Sequence, residues 1–202
     1  MPPLNNWKDI SMTHYQTTVA SREKEQWLTR YYFTRAGFSA VWVAAALTVG
    51  QQSASIAAAL LIIYPAWDAA ANFVDASRNG GLGNNRTQAI NVAVSSVMTV
   101  AVVVVLTMSM NWVLSAFGLW AIFSGVLQLG TALRRWRTSG GQWAMVLSGG
   151  QSAVAGVFFI AQARMPEPPS IANIAGYAGL GAFYFLVSAV WRSVSHMRRK
   201  TA

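Results

Sequence analysis

The residue types most able to do chemistry lie on one face of a helix predicted within an apolar stretch of the chain. Asp68, Asn72 and Asp75 are spaced i, i+4 and i+7, which places them on the same side of an α-helix. In a membrane-spanning segment such a face must point at other helices or at a water-filled crevice, because lipid cannot solvate it. Asp68 and Asn72 are therefore the candidate functional polar face.

Two roles for Asp68 fit its position about eight residues from one end of this segment. Its carboxyl group could bind and release a proton or contact a polar substrate, as acids within membrane spans often do. It could instead accept a hydrogen bond from a Ser, Gln or Asn side chain of a neighbouring helix. Pro65, one turn earlier, removes the hydrogen bond to the Leu61 carbonyl and predicts a kink. The sequence leaves both roles of Asp68 open.

Arg35 and Asp75 form a candidate structural ion pair. Arg35 lies about one turn inside the first apolar segment, and Asp75 lies at a similar depth in the second. An ion pair between them would fix the register of two adjacent helices rather than do chemistry. We therefore predict a structural role for this pair.

The sequence offers no support for metal, cofactor or enzyme chemistry. It contains no Cys, and its two His residues, His14 and His196, lie near opposite ends of the chain. It has no zinc-protease motif, P-loop or nucleophile elbow, so we predict no catalytic residue, no cofactor and no enzyme activity. The net charge is +9, but the basic residues flank apolar segments, which predicts membrane topology rather than nucleic-acid binding.

Six apolar segments dominate the chain, and each has about the 20 residues that a helix needs to cross ~30 Å of hydrocarbon. They are residues 31–50, 55–76, 88–109, 111–132, 142–163 and 170–193. Charged residues make up 10% of the chain, against about 25% in soluble domains. The sequence therefore predicts an all-α, polytopic transmembrane bundle of six helices, arranged as three pseudo-repeated hairpins in contact with the lipid bilayer.

Basic residues alternate between the two sides of a six-helix path. Fourteen of the fifteen Lys and Arg residues fall on one side, and Arg164 falls on the other. The positive-inside rule makes the basic side cytoplasmic, with both termini inside. Residues 1–27 are then a polar cytoplasmic extension, 28–195 the membrane domain and 196–202 a basic cytoplasmic tail. Residues 21–30 could form a short interfacial helix or a solvated extension of the first span.

Small residues recur in the predicted helices and should permit close helix contact. The glycines concerned are Gly118, Gly125, Gly149, Gly156, Gly176 and Gly181. Three short motifs carry a family resemblance: Arg35-Ala36-Gly37, Leu119-Trp120-Ala121-Ile122-Phe123-Ser124-Gly125, and Trp143 followed by Leu147-Ser148-Gly149. Across roughly residues 28–195 the chain resembles the HdeD-like family of bacterial inner-membrane proteins, built from a short repeated helix pair. It departs from the family pattern at residues 67–72, where a more apolar segment is expected.

The resemblance implies a six-helix inner-membrane protein in a family named for acid resistance, without an established biochemical activity. One hypothesis is therefore a non-enzymatic protein of envelope or acid-stress physiology that contacts itself, as a homo-oligomer, or another membrane protein. The alternative is a small proton-linked transporter or permeation pathway that uses the polar face of the second helix. A sealed, hydrogen-bonded Asp68 would favour the first hypothesis, and a continuous crevice at Asp68 would favour the second.

Overall fold

A computed structural model describes residues 6–135 and 143–201, and all the regular elements within these ranges are α-helices. In chain order they are α1 (Asn6–Leu47), α2 (Val49–Gln52), α3 (Ala54–Arg78), α4 (Arg86–Val105), α5 (Met110–Arg135), α6 (Trp143–Gln162) and α7 (Ile171–Thr201). The predicted all-α fold with six long helices is confirmed. The basic loop between α5 and α6, the first five residues and the last residue of the tail lie outside the described residues.

Length and composition identify several of these helices as candidate membrane spans. Five of them are long and apolar enough to cross a bilayer: Glu25–Gln52, Ala54–Arg78, Arg86–Val105, Met110–Leu133 and Ile171–Ser195. A shorter apolar stretch, Val146–Gln162, lies in α6. Large apolar side chains such as Val41, Val97 and Val154 are about 70% exposed, as lipid-facing side chains are. The chain is thus a multi-pass membrane protein.

The first helix differs from the predicted segment at both ends. It begins at Asn6, so the polar residues before the first span continue its helix instead of forming a separate interfacial one. Residues 21–30 are rich in Glu, Lys, Gln and Arg, which are strong helix formers in water. Regular helix stops at Thr48, whose φ of −111° and ψ of −94° are not helical, and resumes as the short α2.

The described chain divides into two compact units, one made of residues 38–181 and the other of the segments before and after them. In the 38–181 unit, Leu61, Phe117 and Ile174 are fully buried. Two indole N–H groups, of Trp67 and Trp120, are buried without a hydrogen-bond partner among the described residues. Both tryptophan side chains are positioned by contacts with other aromatic rings. Trp67 stacks on Phe38 with ring centroids 4.3 Å apart, and Tyr64 lies edge-on to Trp120 with centroids 5.9 Å apart.

The 38–181 unit contains two helical hairpins, α3–α4 and α5–α6, whose helices pack along their lengths. The turn between α3 and α4 requires two glycines, because Gly80 and Gly81 have φ of 96° and 85°. The Gly81 amide donates to the Ala76 carbonyl at 2.8 Å and closes the end of α3. The side-chain Nδ2 of Asn85 donates to the Gly81 carbonyl at 2.9 Å and joins the turn to α4.

Glycines spaced seven residues apart bring the backbones of α5 and α6 together. A Cβ added at Gly118 would lie 2.8 Å from the Gly156 carbonyl oxygen, and one at Gly149 would lie 2.9 Å from the Gly125 carbonyl oxygen. No methyl group fits there, so the predicted close contact is confirmed at these four positions. At Gly176 the prediction is wrong, because a Cβ there would meet no described atom within 4 Å.

Candidate functional site

Asp68 lies on α3, where its side chain is partly buried. The Ser95 hydroxyl on α4 donates to Asp68 Oδ2 at 2.7 Å. Asn72 Nδ2, one turn later on α3, donates to the same oxygen at 3.1 Å and to the Asp68 carbonyl at 2.8 Å. Ser95 is only 1% exposed, so its bond to Asp68 lies inside the hairpin. The structure thus joins the two residues of the predicted polar face to each other and joins Asp68 to a side chain of α4.

Asp75 repeats this arrangement seven residues further along α3. Asn79 Nδ2 donates to Asp75 Oδ1 at 3.0 Å and to the Asp75 carbonyl at 2.8 Å. Gln88 Nε2, in the first turn of α4, donates to Asp75 Oδ2 at 3.1 Å. Asp75 is buried, at 7% exposure. Each carboxylate therefore accepts from the amide of an asparagine four residues later in the chain and from a side chain of α4.

The two cross-links follow from the antiparallel packing of α3 and α4. Seven residues forward on α3, from Asp68 to Asp75, correspond to seven residues backward on α4, from Ser95 to Gln88. Helices that cross at a shallow angle repeat their contacts at this interval. The hydroxyl and amide donors satisfy carboxylate oxygens that would otherwise be costly within an apolar segment. The arrangement is therefore well suited to holding two helices in register.

A second polar cluster lies within electrostatic reach of Asp68. Tyr177 on α7 interacts electrostatically with Asp68, and its hydroxyl is 2.7 Å from the Ser152 hydroxyl on α6. The Ser152 hydroxyl donates to the Ala121 carbonyl on α5 at 2.9 Å. Because a serine hydroxyl has one hydrogen, Tyr177 is the donor to Ser152. Polar groups of α5, α6 and α7 thus meet inside this unit.

Arg35 belongs to the other compact unit, in which aromatic rings hold its side chain. The guanidinium carbon lies 4.3 Å from the centroid of the Phe185 ring, a cation–π contact, and Nη1 donates to the Tyr31 hydroxyl at 2.9 Å. The hydrogen bonds described above for Asp75 come from Asn79 and Gln88. The ion pair between Arg35 and Asp75 stays a prediction. Within residues 6–135 and 143–201, no cluster of three or more His, Cys, Asp or Glu could hold a metal ion.

Ser95, Gln88 and Tyr177 are the site residues that the sequence did not single out. Sequence spacing about the α3–α4 turn could have located Ser95 and Gln88. Asp68 precedes Gly81 by as many residues as Ser95 follows Leu82, and Asp75 and Gln88 are symmetric about the same Gly81–Leu82 bond. Residues at mirrored positions face each other in a tight antiparallel hairpin. No comparable rule locates Tyr177, because it lies on a helix distant in sequence.

Part of this architecture is similar to a described protein family. Residues 93–161, from within α4 to near the end of α6, match the family described as a short repeat of unknown function (DUF308). The matched region contains Ser95, Ser152 and the glycine contacts of the α5–α6 hairpin. Searches of curated proteins and of solved structures returned no match.

Proposed function

We propose that this chain is a non-enzymatic, multi-pass protein of the bacterial inner membrane, of the HdeD-like type, that acts in envelope or acid-stress physiology. The single observation that carries the proposal is the hydrogen bonding of Asp68 by Ser95 and Asn72 within the α3–α4 hairpin. Asp68, the carboxylate best placed to do chemistry, is thereby engaged in helix packing. The short repeat matched by residues 93–161 is the one found in HdeD-like proteins and supports the same proposal.

The distribution of charge supports the orientation in this proposal. Basic residues concentrate on one side of the six-helix path, which the positive-inside rule assigns to the cytoplasm together with both termini. The exposed apolar side chains of the helices suit contact with lipid, with another membrane protein or with a second copy of this chain. Such a protein would act through contacts in the membrane plane, without turning over a substrate.

Deletion of the gene in its own bacterial host, followed by acid challenge, tests the function. We expect lower survival of the deletion strain and full recovery when the wild-type chain is restored. Asp68→Asn should restore survival equally, because the amide oxygen keeps an acceptor for Ser95 without a titratable group. Unchanged survival of the deletion strain would contradict an acid-stress role.

A proton-linked permeation pathway is the second candidate, and the Tyr177–Ser152 pair near Asp68 is the observation that favours it. Together these groups bring a carboxylate and two hydroxyls into one region of the membrane domain. In this case Asp68→Asn would reach the membrane at normal levels, fail to restore acid survival and lose proton flux in proteoliposomes. Ser96→Ala, which changes an exposed neighbour of Ser95, is the matched control. It should restore acid survival and retain proton flux.

A further inference from the structure

A cleft of about 450 Å³ lies in the unit that contains Arg35. Its polar lining includes Glu25 and Arg30 of α1 and Arg192 and Ser195 of α7. Glu25 begins the first candidate membrane span, and Ser195 ends the last one. The cleft therefore lies where these two spans meet one membrane boundary, at the level of the lipid headgroups.

Arg192 supplies a hydrogen-bond donor that the described protein does not use. Its Nε is buried and has no partner among the described residues. A buried guanidinium N–H without an acceptor is costly, and it is the geometry expected where a ligand supplies the acceptor. Arg30 adds a second guanidinium to the lining. Two such groups favour an oxyanion, because guanidinium forks match phosphate oxygens.

Two hydroxyl groups that line the cleft, those of Thr29 and Ser193, already donate hydrogen bonds to backbone carbonyls. The Thr29 hydroxyl donates to the Glu25 carbonyl at 3.0 Å, and the Ser193 hydroxyl donates to the Ala189 carbonyl at 2.9 Å. A ligand in the cleft would consequently be bound chiefly by the guanidinium groups. Two arginines and Glu25 leave the lining with a net charge of +1, which suits one phosphodiester better than a polyphosphate.

An apolar stripe runs along α7 beside the cleft. Val187, Val190, Trp191 and Val194 are all exposed and are spaced i, i+3, i+4 and i+7, so they share one helix face. Trp191, which is 74% exposed, also lines the cleft. Indole rings favour the membrane interface, where an apolar surface meets polar headgroups. The charged cleft thus continues into a surface fit for acyl chains.

We propose that this cleft binds an anionic phospholipid, with its phosphate on Arg192 and Arg30 and its acyl chains along the apolar stripe of α7. The stripe favours a lipid over a free phosphate ion, which would leave it unused. Residues 192–200 carry Arg192, Arg198, Arg199 and Lys200 and no acid. Such basic clusters beside a membrane span attract anionic lipids, and basic pockets between spans hold their headgroups. This inference is independent of the proposed function.

Native mass spectrometry of the purified, delipidated full chain in detergent tests the site. Phosphatidylglycerol and phosphatidylethanolamine with identical acyl chains serve as the probes. We expect tighter binding of phosphatidylglycerol, and about tenfold weaker binding in Arg192→Ala, because a charge-assisted hydrogen bond is lost. Arg192→Lys keeps the charge without the Nε–H, so its affinity for phosphatidylglycerol should lie between those of the wild type and Arg192→Ala. Arg164→Ala removes an exposed arginine elsewhere in the chain and should bind as the wild type does.

Three results would overturn the proposal. The first is equal binding by Arg192→Ala and Arg164→Ala, and the second is equal binding of the two lipids. The third is displacement of phosphatidylglycerol by millimolar inorganic phosphate, which would assign the cleft to a free anion. Unfolding temperatures of the lipid-free variants separate a binding defect from misfolding. If Arg192→Ala fails to fold, Arg192→Lys and Ser195→Ala carry the comparison, and wild-type binding by both would also contradict the site.

Discussion

Asp68 and Asp75 each accept hydrogen bonds from an asparagine four residues later in the chain and from a polar side chain of α4. Hydrogen bonds between membrane helices contribute about 0.6 kcal/mol on average and rarely more than about 2 kcal/mol. Bonds to a carboxylate fall toward the upper part of this range, since a charged acceptor strengthens them. The two cross-links together can therefore decide how α3 and α4 align.

Ser95→Ala should lower the free energy of unfolding by about 1 kcal/mol, because Asp68 loses the hydroxyl that donates to it at 2.7 Å. Ser96→Ala changes the adjacent, exposed serine and should have an effect below about 0.5 kcal/mol. Reversible unfolding in mixed micelles with increasing dodecyl sulfate measures both. Equal stability of the two variants would mean that the Ser95–Asp68 bond contributes nothing.

The sequence predicted the polar face formed by Asp68 and Asn72, but it did not predict which side chains of other helices contact that face. The i, i+4 spacing placed Asp68 and Asn72 together, because helix geometry alone sets that relation. The partnership with Ser95 depends on the rotation of α4 about its axis and on the left-handed Gly80-Gly81 turn. Periodicity within one helix does not contain that information. The position of Tyr177 is harder still to predict from sequence, since it depends on the packing of several helices.

The long helices follow closely from apolar length. The predicted segment 111–132 corresponds to Met110–Arg135, and 170–193 corresponds to the start of Ile171–Thr201. Bilayer thickness fixes the apolar length, but it does not fix how far a helix continues into water. This is why the predicted first segment, residues 31–50, does not include the extension of α1 to Asn6. The two hairpins also differ in chemistry, with carboxylate cross-links in α3–α4 and glycine contacts in α5–α6.

Gly149→Ala should destabilise the α5–α6 hairpin by about 1–3 kcal/mol, the usual cost of overpacking. The new methyl group would meet the Gly125 carbonyl oxygen at 2.9 Å, and backbone cannot move aside as a flexible side chain can. Gly150→Ala is the matched control on the next residue, where a Cβ meets nothing within 4 Å. It should be neutral or slightly stabilising because alanine favours helix. The same micelle titration measures both, and equal losses would argue against direct backbone contact.

On the scale of the whole molecule, the chain concentrates its polar residues at helix ends and in a few internal pairs. Its loops are short, and the basic ones alternate with loops that carry little positive charge. This pattern predicts six crossings with both termini in the cytoplasm, since each additional or missing span would reverse the side of every later loop. Charge and length therefore predict the topology, whereas the activity depends on side-chain partners that they do not encode.

The number and direction of the crossings are tested most directly by thiol labelling, because the chain has no cysteine of its own. Gly83→Cys, Met108→Cys and Glu167→Cys each place one thiol in an exposed loop position. In intact spheroplasts a membrane-impermeant maleimide should label the thiols at positions 108 and 167. The thiol at position 83 should react only after the membrane is permeabilised. Labelling at position 83 in intact spheroplasts, or its absence at position 167, would contradict the six-helix topology with both ends inside.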